Sequence, residues 1–583
     1  MATNVIKSYS FDRNSVKSGI LHFGVGNFHR AHLEYMTSNL LEDPTQHGWG
    51  ICGAMILDRD EHLYKALKAQ NGEYTLTVCG RDGNNEVYRL GALVELYWGV
   101  EEKNSILNKI ADPDIRIITL TITEGGYNIS RQTGEFMLDN PQVAHDLEYP
   151  HDPQTAFGYV AEGLRRRVAS DAGPITILSC DNLQHNGNTA RRAFMSFVEA
   201  QDKELAAWME ENVTFPNSMV DRITPATRPE DIKRLNEENG TDDKAPVYCE
   251  DFIQWVVEDN FAAGRPSWEN VGAQMTDDVT AFENMKLSLL NASHTLLSYP
   301  SFLYGYRKVD AAMHDERIAK FVRQFMDIDI TPYVPAPKDT DLELYKQTLC
   351  ERFGNRSVSD QVARLCFDGA SKFPVYVMPN LEKMIRDDKE LIRVAYLFAA
   401  YRHYLKYHTD DNGEQFDVAD PWLTADDLKE IDWAVIWMVA GGFALGLAMN
   451  GTGLAENAVK SIPFDTFNPI VIMIVSGLVC FALSNFISNT ATAALLIPIL
   501  TVVCAGMGNS LESIGGTSTI IIGVAVAASC AMSLPISTPP NAIAYSTGLI
   551  QQTDMVKAGL TIGLISMILG YGVLITFCKM GVL

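Results

Sequence analysis

Short apolar runs that close on glycine or a polar residue alternate with helical stretches over the first third of the chain. Ser18–Gly24 (SGILHFG) ends in glycine, and a 3.6-residue apolar pattern follows from His29 to Leu41. Gly50–Leu57 runs into Asp58-Arg59-Asp60, Arg116–Ile122 into Thr123-Glu124-Gly125-Gly126, and Pro174–Cys180 into Asp181-Asn182. Strands alternating with helices in this way predict a parallel α/β sheet, whose ligands gather at the carboxyl ends of the strands. From about Asp277 the pattern becomes helical: Asp278–Tyr299, Ala312–Met326, Leu342–Phe353, Ser357–Phe367 and Leu381–Tyr407.

Beyond Asp420-Pro-Trp-Leu-Thr-Ala-Asp-Asp the texture changes again. Five apolar segments follow, Trp433–Ala455, Pro469–Asn485, Ala491–Met507, Ser518–Ser533 and Gly559–Cys578. The first and last reach the ~20 residues that span a bilayer. The middle ones are shorter and broken by Gly, Pro, Ser and Asn, which is tolerated at membrane depth only where backbone lines a cavity or is buried in protein. The predicted architecture is an α/β Rossmann-type domain over residues 1–277, a mostly α-helical domain over 278–420, a linker over 421–432 and an all-α transmembrane segment over 433–583.

Composition changes this picture little. The mean hydropathy of -0.02 averages two unlike materials. A net charge of -25 argues against nucleic acid as a partner, since phosphate binding needs a clustered basic surface. The ten cysteines are scattered singly, without CxxC or paired spacing, so neither a disulfide framework nor a zinc cage is expected. The opening MATNVIKSYS has no apolar signal core. The soluble part is therefore expected in the cytoplasm, tethered to a membrane by the C-terminal helices.

Two stretches carry chemistry. Gly24-Val25-Gly26-Asn27-Phe28-His29-Arg30 sits where the first strand enters a helix. Its glycines let backbone approach a pyrophosphate, and the helix start offers free N–H groups. His29 stands where a third glycine is usual, so the pattern alone is equally an ordinary glycine turn. Asp58 and Asp60 are both placed to hold the adenosine ribose hydroxyls, and the sequence does not choose between them. The second stretch is Lys286-Leu-Ser-Leu-Leu-Asn291-Ala-Ser-His294. At ~100° per residue, Asn291 lies ~140° and His294 ~80° round a helix from Lys286, all on one side. Oxidising a secondary alcohol needs a base for the hydroxyl proton, donors for the oxygen and a hydride acceptor. A desolvated lysine can have its proton affinity lowered toward the working range, while the stretch taken alone also reads as a polar helix face with a solvated lysine.

At several places in order, from about Ser18 to Asp420, the chain resembles the long-chain mannitol 2-dehydrogenase and fructuronate reductase family of polyol-specific dehydrogenases. They are Gly24–His32, Thr123-Glu-Gly-Gly-Tyr127, Ser179-Cys-Asp-Asn-Leu183, Val220-Asp-Arg-Ile-Thr-Pro225, Glu283–His294 and Ser371-Lys-Phe-Pro374. The resemblance implies a metal-independent enzyme that interconverts a polyol or aldonate with its keto sugar, of the mannitol/fructose or mannonate/fructuronate type. It implies NAD or NADP as cofactor, with NAD favoured. Lys286 would be the general base, Asn182 and Asn291 would bind the reacting oxygen, and His294 would orient substrate. Asp221 and Lys372 would contact sugar hydroxyls, and Glu124 and Glu283 would line a proton route. The family's further helices have no counterpart beyond Asp420, so the helical domain is expected to be truncated.

The last part is similar to a different family, the divalent-anion/sodium symporters that carry dicarboxylates such as succinate. Ser488-Asn489-Thr490 and Ser537-Thr538-Pro539-Pro540-Asn541 each fall at a break in an apolar run, and Gly441–Gly446 adds to the likeness. That resemblance implies that Ser488, Asn489, Thr490, Thr538, Pro539 and Asn541 would meet sodium and a carboxylate. Only the second of the family's two inverted repeats is represented. Because the site of such a transporter lies between its repeats, transport by this chain alone is not expected. The sequence thus reads as a chimera of a dehydrogenase with half a symporter. The alternatives are a sodium-coupled dicarboxylate transporter carrying a soluble cargo, or a membrane-tethered chain with neither activity.

Overall fold

The computed structural model describes residues 4–130, 133–338, 340–423, 468–486, single positions between 489 and 511, and 514–580 apart from 536 and 548. It divides into two compact units, Met1–Thr424 and Ala425–Leu583.

The first unit is organised by a six-stranded sheet. Its strands are β1 (Ser18–Phe23), β2 (Gly50–Met55), β3 (Leu93–Trp98), β4 (Ile117–Leu120), β5 (Ile175–Ser179) and β6 (Val213–Thr214). They pair in the order β3-β2-β1-β4-β5-β6, every pair parallel. β1, β2, β4 and β5 are buried at every position, as expected of parallel strands covered on both faces. Alternate residues feed opposite layers: Ile20 and Ile51 enter one core, Leu21 and Cys52 the other. Strand order reverses between β1 and β4, and this switch point opens a crevice at their carboxyl ends.

Two smaller sheets flank this core. One pairs Ile6–Ser8, Asn85–Leu90, Tyr74–Cys79 and Val247–Glu250; the other pairs β7 (Ser218–Asp221) with Gln254–Glu258 and Gln274–Thr276. The helix expected over His29–Leu41 is two, α1 (Asn27–Ala31) and α2 (Leu33–Leu40), because His32 leaves helical geometry at φ -119°, ψ -86°.

In the helical part, α3 (Thr280–Met285) runs through a π-helical turn, Lys286–Asn291, into α4 (Ala292–Leu303), and α5 (Leu342–Phe353) has the expected bounds. The expected helix Ser357–Phe367 shrinks to Val362–Cys366, since Ser359 is left-handed at φ 47°. Leu381–Tyr407 is parted into Met378–Arg386 and Ile392–Tyr407 around Asp388 at φ 51°.

The second unit contains helices Pro469–Ser484, Thr517–Cys530, Pro539–Ser546 and Gln552–Lys579. Among the described residues one helix, Gln552–Cys578, is long and apolar enough to cross a membrane. The Tyr571 hydroxyl donates to the Gly523 carbonyl at 2.8 Å, and a Cβ on Gly477 would collide with the same hydroxyl, so these helices pack through small residues. The break after Cys530 is closed by side-chain amides. Asn541 donates to the Met532 carbonyl at 2.8 Å, and Asn485 accepts from the Ser533 N–H at 2.9 Å. The predicted span Trp433–Ala455, the Gly441–Gly446 stretch, Ser488 and Thr490 lie outside the described residues.

Candidate active site

Two cavities meet at the switch point. One, of about 480 Å³, is lined by Gly24, Gly26, Leu57, Arg59, Asp60 and Thr123; the other, of about 600 Å³, by Asn27, Phe28, Glu124, Asn182, Asp221, Lys286, Asn291 and His294. They share Gly24, Gly26, Thr121, Thr123 and Gly125, so one continuous groove runs from the end of β2 over the β1 turn to the helical domain.

The β1 turn is built for backbone proximity. Gly24 adopts φ +95°, and a Cβ there would collide with the Thr121 carbonyl of β4's extension. At Gly26 the nearest atom to an added Cβ is the Gly24 carbonyl at 3.9 Å, so the hydrogen faces open groove. Asn27 ties the turn down by donating to Thr227 Oγ1 at 3.0 Å and accepting from Arg30 at 2.7 Å, and Phe28 stacks on His32 with centroids 5.0 Å apart. Of the two acids after β2, Asp60 lines the groove and accepts the Leu57 N–H at 3.1 Å, whereas Asp58 is not part of the lining. This elongated groove could hold a dinucleotide, the two glycines offering close backbone approach to a pyrophosphate and Asp60 a carboxylate to a ribose.

At the other end Lys286 is 8% exposed. Its Nζ donates to Asn182 Oδ1 at 2.5 Å and to the Val220 carbonyl at 2.6 Å. Burial lowers its proton affinity from the ordinary lysine value; Asp221, Glu283 and Glu124 oppose that shift, and Arg352 adds to it. A neutral amine has two N–H bonds and one lone pair. The two acceptors use the N–H bonds, which leaves the lone pair for the cavity. Because Lys286 claims Asn182 Oδ1, the Asn182 NH₂ is the group left for a substrate oxygen.

The π turn brings Asn291 alongside. Sequence spacing at α-helical pitch set it ~140° round the helix from Lys286, whereas a π turn bonds i to i+5 and so narrows the angle between residues five apart. His294 packs on Phe353 with centroids 4.2 Å apart, and burial lowers its pKa to about 3, so the imidazole is neutral. Asp221, at the end of β7, is held ionised by Arg352 against the burial penalty. Glu283 accepts the His185 N–H at 2.9 Å, and burial raises its proton affinity. It lines a small pocket of about 10 Å³ together with Lys286, room for about one water.

Not every expected residue joins. The Lys372 amine donates to the Leu365 carbonyl at 3.0 Å and is not part of the cavity lining; Arg364, paired with Asp360, occupies that wall. Glu124 lines the rim. Sequence reasoning also missed Asp181, whose carboxylate accepts Ile122 N–H, Thr123 N–H and the Tyr127 hydroxyl and whose pKa burial raises to about 6. It clamps the turn after β4, where Thr123 sits at φ 66°. Tyr376, two residues past Pro374, brings its hydroxyl to Asn291 and Asn182. Its only sequence signal is that proximity to the Ser371–Pro374 stretch. Among the described residues, no three or more His, Cys, Asp or Glu side chains are grouped to hold a metal ion.

In the second unit Thr538 Oγ1 accepts the Asn541 N–H at 3.3 Å as a helix cap, and Pro539 begins that helix. The buried Asn489 Oδ1 has no protein partner among the described residues.

Sheet order, groove and buried amine together define a nicotinamide-dependent oxidoreductase of alcohols. The mannitol dehydrogenase Rossmann domain matches residues 18–270 and the mannitol dehydrogenase C-terminal domain residues 278–433. The chain belongs to the mannitol dehydrogenase family. A polyol:NADP oxidoreductase of Gluconobacter oxydans is 42% identical over 418 residues, 71% of this chain and 86% of that protein. A mannitol dehydrogenase of Saccharomyces cerevisiae is 38% identical, covering 71% and 82%. Among solved structures, Pseudomonas fluorescens mannitol 2-dehydrogenase in ternary complex with NAD and D-mannitol superposes with a TM-score of 0.67 at 42% identity, over 71% of this chain and 84% of that one. A substrate-free D-sorbitol dehydrogenase gives 0.69 at 40%, over 74% and 90%. A citrate transporter family matches residues 422–520, so one chain carries parts of two families.

Proposed function

We propose that this polyol dehydrogenase interconverts a hexitol or aldonate with its keto sugar, using Lys286 as the proton acceptor and donor. The carrying observation is the desolvated amine, bonded to Asn182 and Val220 and facing the same cavity as Asp221, Asn291 and His294. In the oxidative direction the carbinol O–H bond breaks and its proton goes to the Lys286 lone pair. Amide N–H groups of Asn182 and Asn291 hold the oxygen as its charge grows. A nicotinamide held over the Gly24–Gly26 turn would supply the hydride acceptor for the carbinol C–H electron pair as the C=O bond forms. Lys286 then returns its proton toward solvent by way of Glu283 and the small pocket that the two residues line. Neutral His294 and ionised Asp221 orient the remaining hydroxyls.

NAD is the favoured cofactor, because Asp60 offers a carboxylate to ribose hydroxyls and repels a 2′-phosphate. Arg59 beside it leaves room for NADP use at lower efficiency. The dehydrogenase lies in the cytoplasm, held at a membrane by the apolar C-terminal helices, of which Gln552–Cys578 is one. A second reading, dicarboxylate transport, has the citrate transporter match in its favour, with Asn489, Thr538 and Asn541 as its described site residues and Ser488, Thr490 and Pro539 completing them.

The test is NADH oxidation by the detergent-solubilised full chain with fructose and with fructuronate. Turnover with one of them is expected. Absence of turnover with any ketose or keto acid, in protein shown to be folded and to bind NADH, would overturn the reading.

A further inference from the structure

Behind the cavity wall the guanidinium of Arg352, fully buried on α5, bridges two carboxylates of the other domain. It donates to Asp221 at 2.8 and 2.9 Å and to Glu250 at 2.8 and 2.9 Å. Its plane lies over the Phe252 ring at 3.9 Å from the centroid. All three charged groups are at most 4% exposed. Such an array is costly to desolvate, and apolar side chains of similar volume would join two domains at least as well. Stability therefore does not account for it. Asp221 connects it to the chemistry, because Asp221 lines the cavity with Lys286 while Glu250 does not.

We propose that Arg352 is a positioning residue for the dehydrogenation: anchored by Glu250, it fixes the Asp221 carboxylate in the cavity wall and sets the net charge that Lys286 faces, so that docking of α5 completes the site. The inference rests on Lys286 being the base. Lys286 faces negative Asp221, Glu283 and Glu124 and positive Arg352, with the neutral imidazole of His32 nearby. Asp221 in turn faces Arg352, Lys286 and His294, and Arg352 is shared with Glu250 and the Tyr345 hydroxyl.

These charges give opposite signs for two variants. Arg352→Gln removes the positive charge, so Lys286 holds its proton more tightly and the rising limb of polyol oxidation moves to higher pH by about one unit. Glu250→Gln removes a negative charge while leaving the Arg352–Asp221 pair, and the limb moves to lower pH. Arg352→Lys keeps the charge but not the fork, so its limb stays near that of the parent while the KM for polyol rises about tenfold, as expected when one buried contact is loosened. KM for NAD stays constant in all three.

The experiment is the pH dependence of kcat/KM for polyol oxidation by the full chain and the three variants, with NADH binding and circular dichroism as folding controls. If Arg352→Gln does not fold, the sign of the Glu250→Gln shift decides. Limbs that coincide with the parent's, or that move the same way in Arg352→Gln and Glu250→Gln, overturn the inference. Parent protein without turnover would instead sink the dehydrogenase reading, so the two failures are distinct.

Discussion

Replacing Lys286 by Met tests the chemistry at its centre. Methionine keeps the length and apolar stem of lysine but has no proton to exchange. General base catalysis contributes about 10²- to 10⁴-fold, or about 3–5 kcal/mol of barrier, and kcat should fall by that factor in both directions. Stability changes less. The Val220 carbonyl loses its donor, which costs about 1–3 kcal/mol, while removal of an amine that is 8% exposed relieves a desolvation penalty of opposite sign. The pH profile carries the sharper signature. Burial lowers the Lys286 proton affinity, so the neutral base accumulates as pH rises through a value below the ordinary lysine pKa. Oxidation of polyol should therefore rise through that pH, and reduction of ketose, which needs the ammonium, should fall through it. In Lys286→Met both limbs should vanish. The assay is NAD(H) absorbance with mannitol and fructose from pH 6 to 11, with cofactor affinity followed by NADH fluorescence. Turnover within tenfold of the parent, or limbs that persist in the variant, would refute the assignment.

Asp60→Ser should raise kcat/KM for NADP relative to NAD by about tenfold, equivalent to about 1.4 kcal/mol, measured as the ratio of the two cofactors at saturating polyol; an unchanged ratio would remove Asp60 from the ribose site. Gly24→Ala places a methyl against the Thr121 carbonyl at φ +95°, a strain of about 1–3 kcal/mol, and should weaken NADH binding more than tenfold; a variant with parental affinity would contradict the close-approach turn. Reconstituted into proteoliposomes, the chain alone should take up no succinate or citrate on a sodium gradient if, as its resemblance implies, it holds one of two inverted repeats; sodium-driven uptake of either would refute that reading.

The fold was legible where chemistry is local. Buried parallel strands must be apolar without interruption, so Ser18–Phe23, Gly50–Met55, Ile117–Leu120 and Ile175–Ser179 stand out from the chain. The strand-end residues Gly24, Asp58, Asp60 and Asn182 stood out as ligand-site candidates for the same reason, but only the fold separates Asp60, which lines the groove, from Asp58. Helix boundaries were less so, because Ser359 and Asp388 break their helices by adopting left-handed backbone that their side-chain type does not demand. Tertiary partners were not legible at all. Arg352 reaches Asp221 across 131 positions and Glu250 across 102, and no periodicity links residues so far apart. Lys372, expected at the substrate, spends its amine on a carbonyl seven residues away, and Arg364 takes the cavity wall.

The π turn shows where a motif read from sequence at α-helical pitch departs from the folded geometry. At α-helical pitch Lys286 and Asn291 lie ~140° apart, on one side of the helix but well round it. A π turn, bonded i→i+5, takes fewer degrees per residue and so narrows that angle, while α3 and α4 continue on either side. Such a turn is less favourable than regular helix and must be held by its neighbours. Asn380 provides one hold, donating to Ser288 Oγ at 2.9 Å from inside the turn's own span, and the second π turn, Phe373–Val377, packs against it. Tyr376 in that second turn reaches the same two asparagines that the substrate oxygen would use. The π turn and the residues proposed for the chemistry therefore share one stretch, Lys286–Asn291, with Tyr376 of the second π turn beside it.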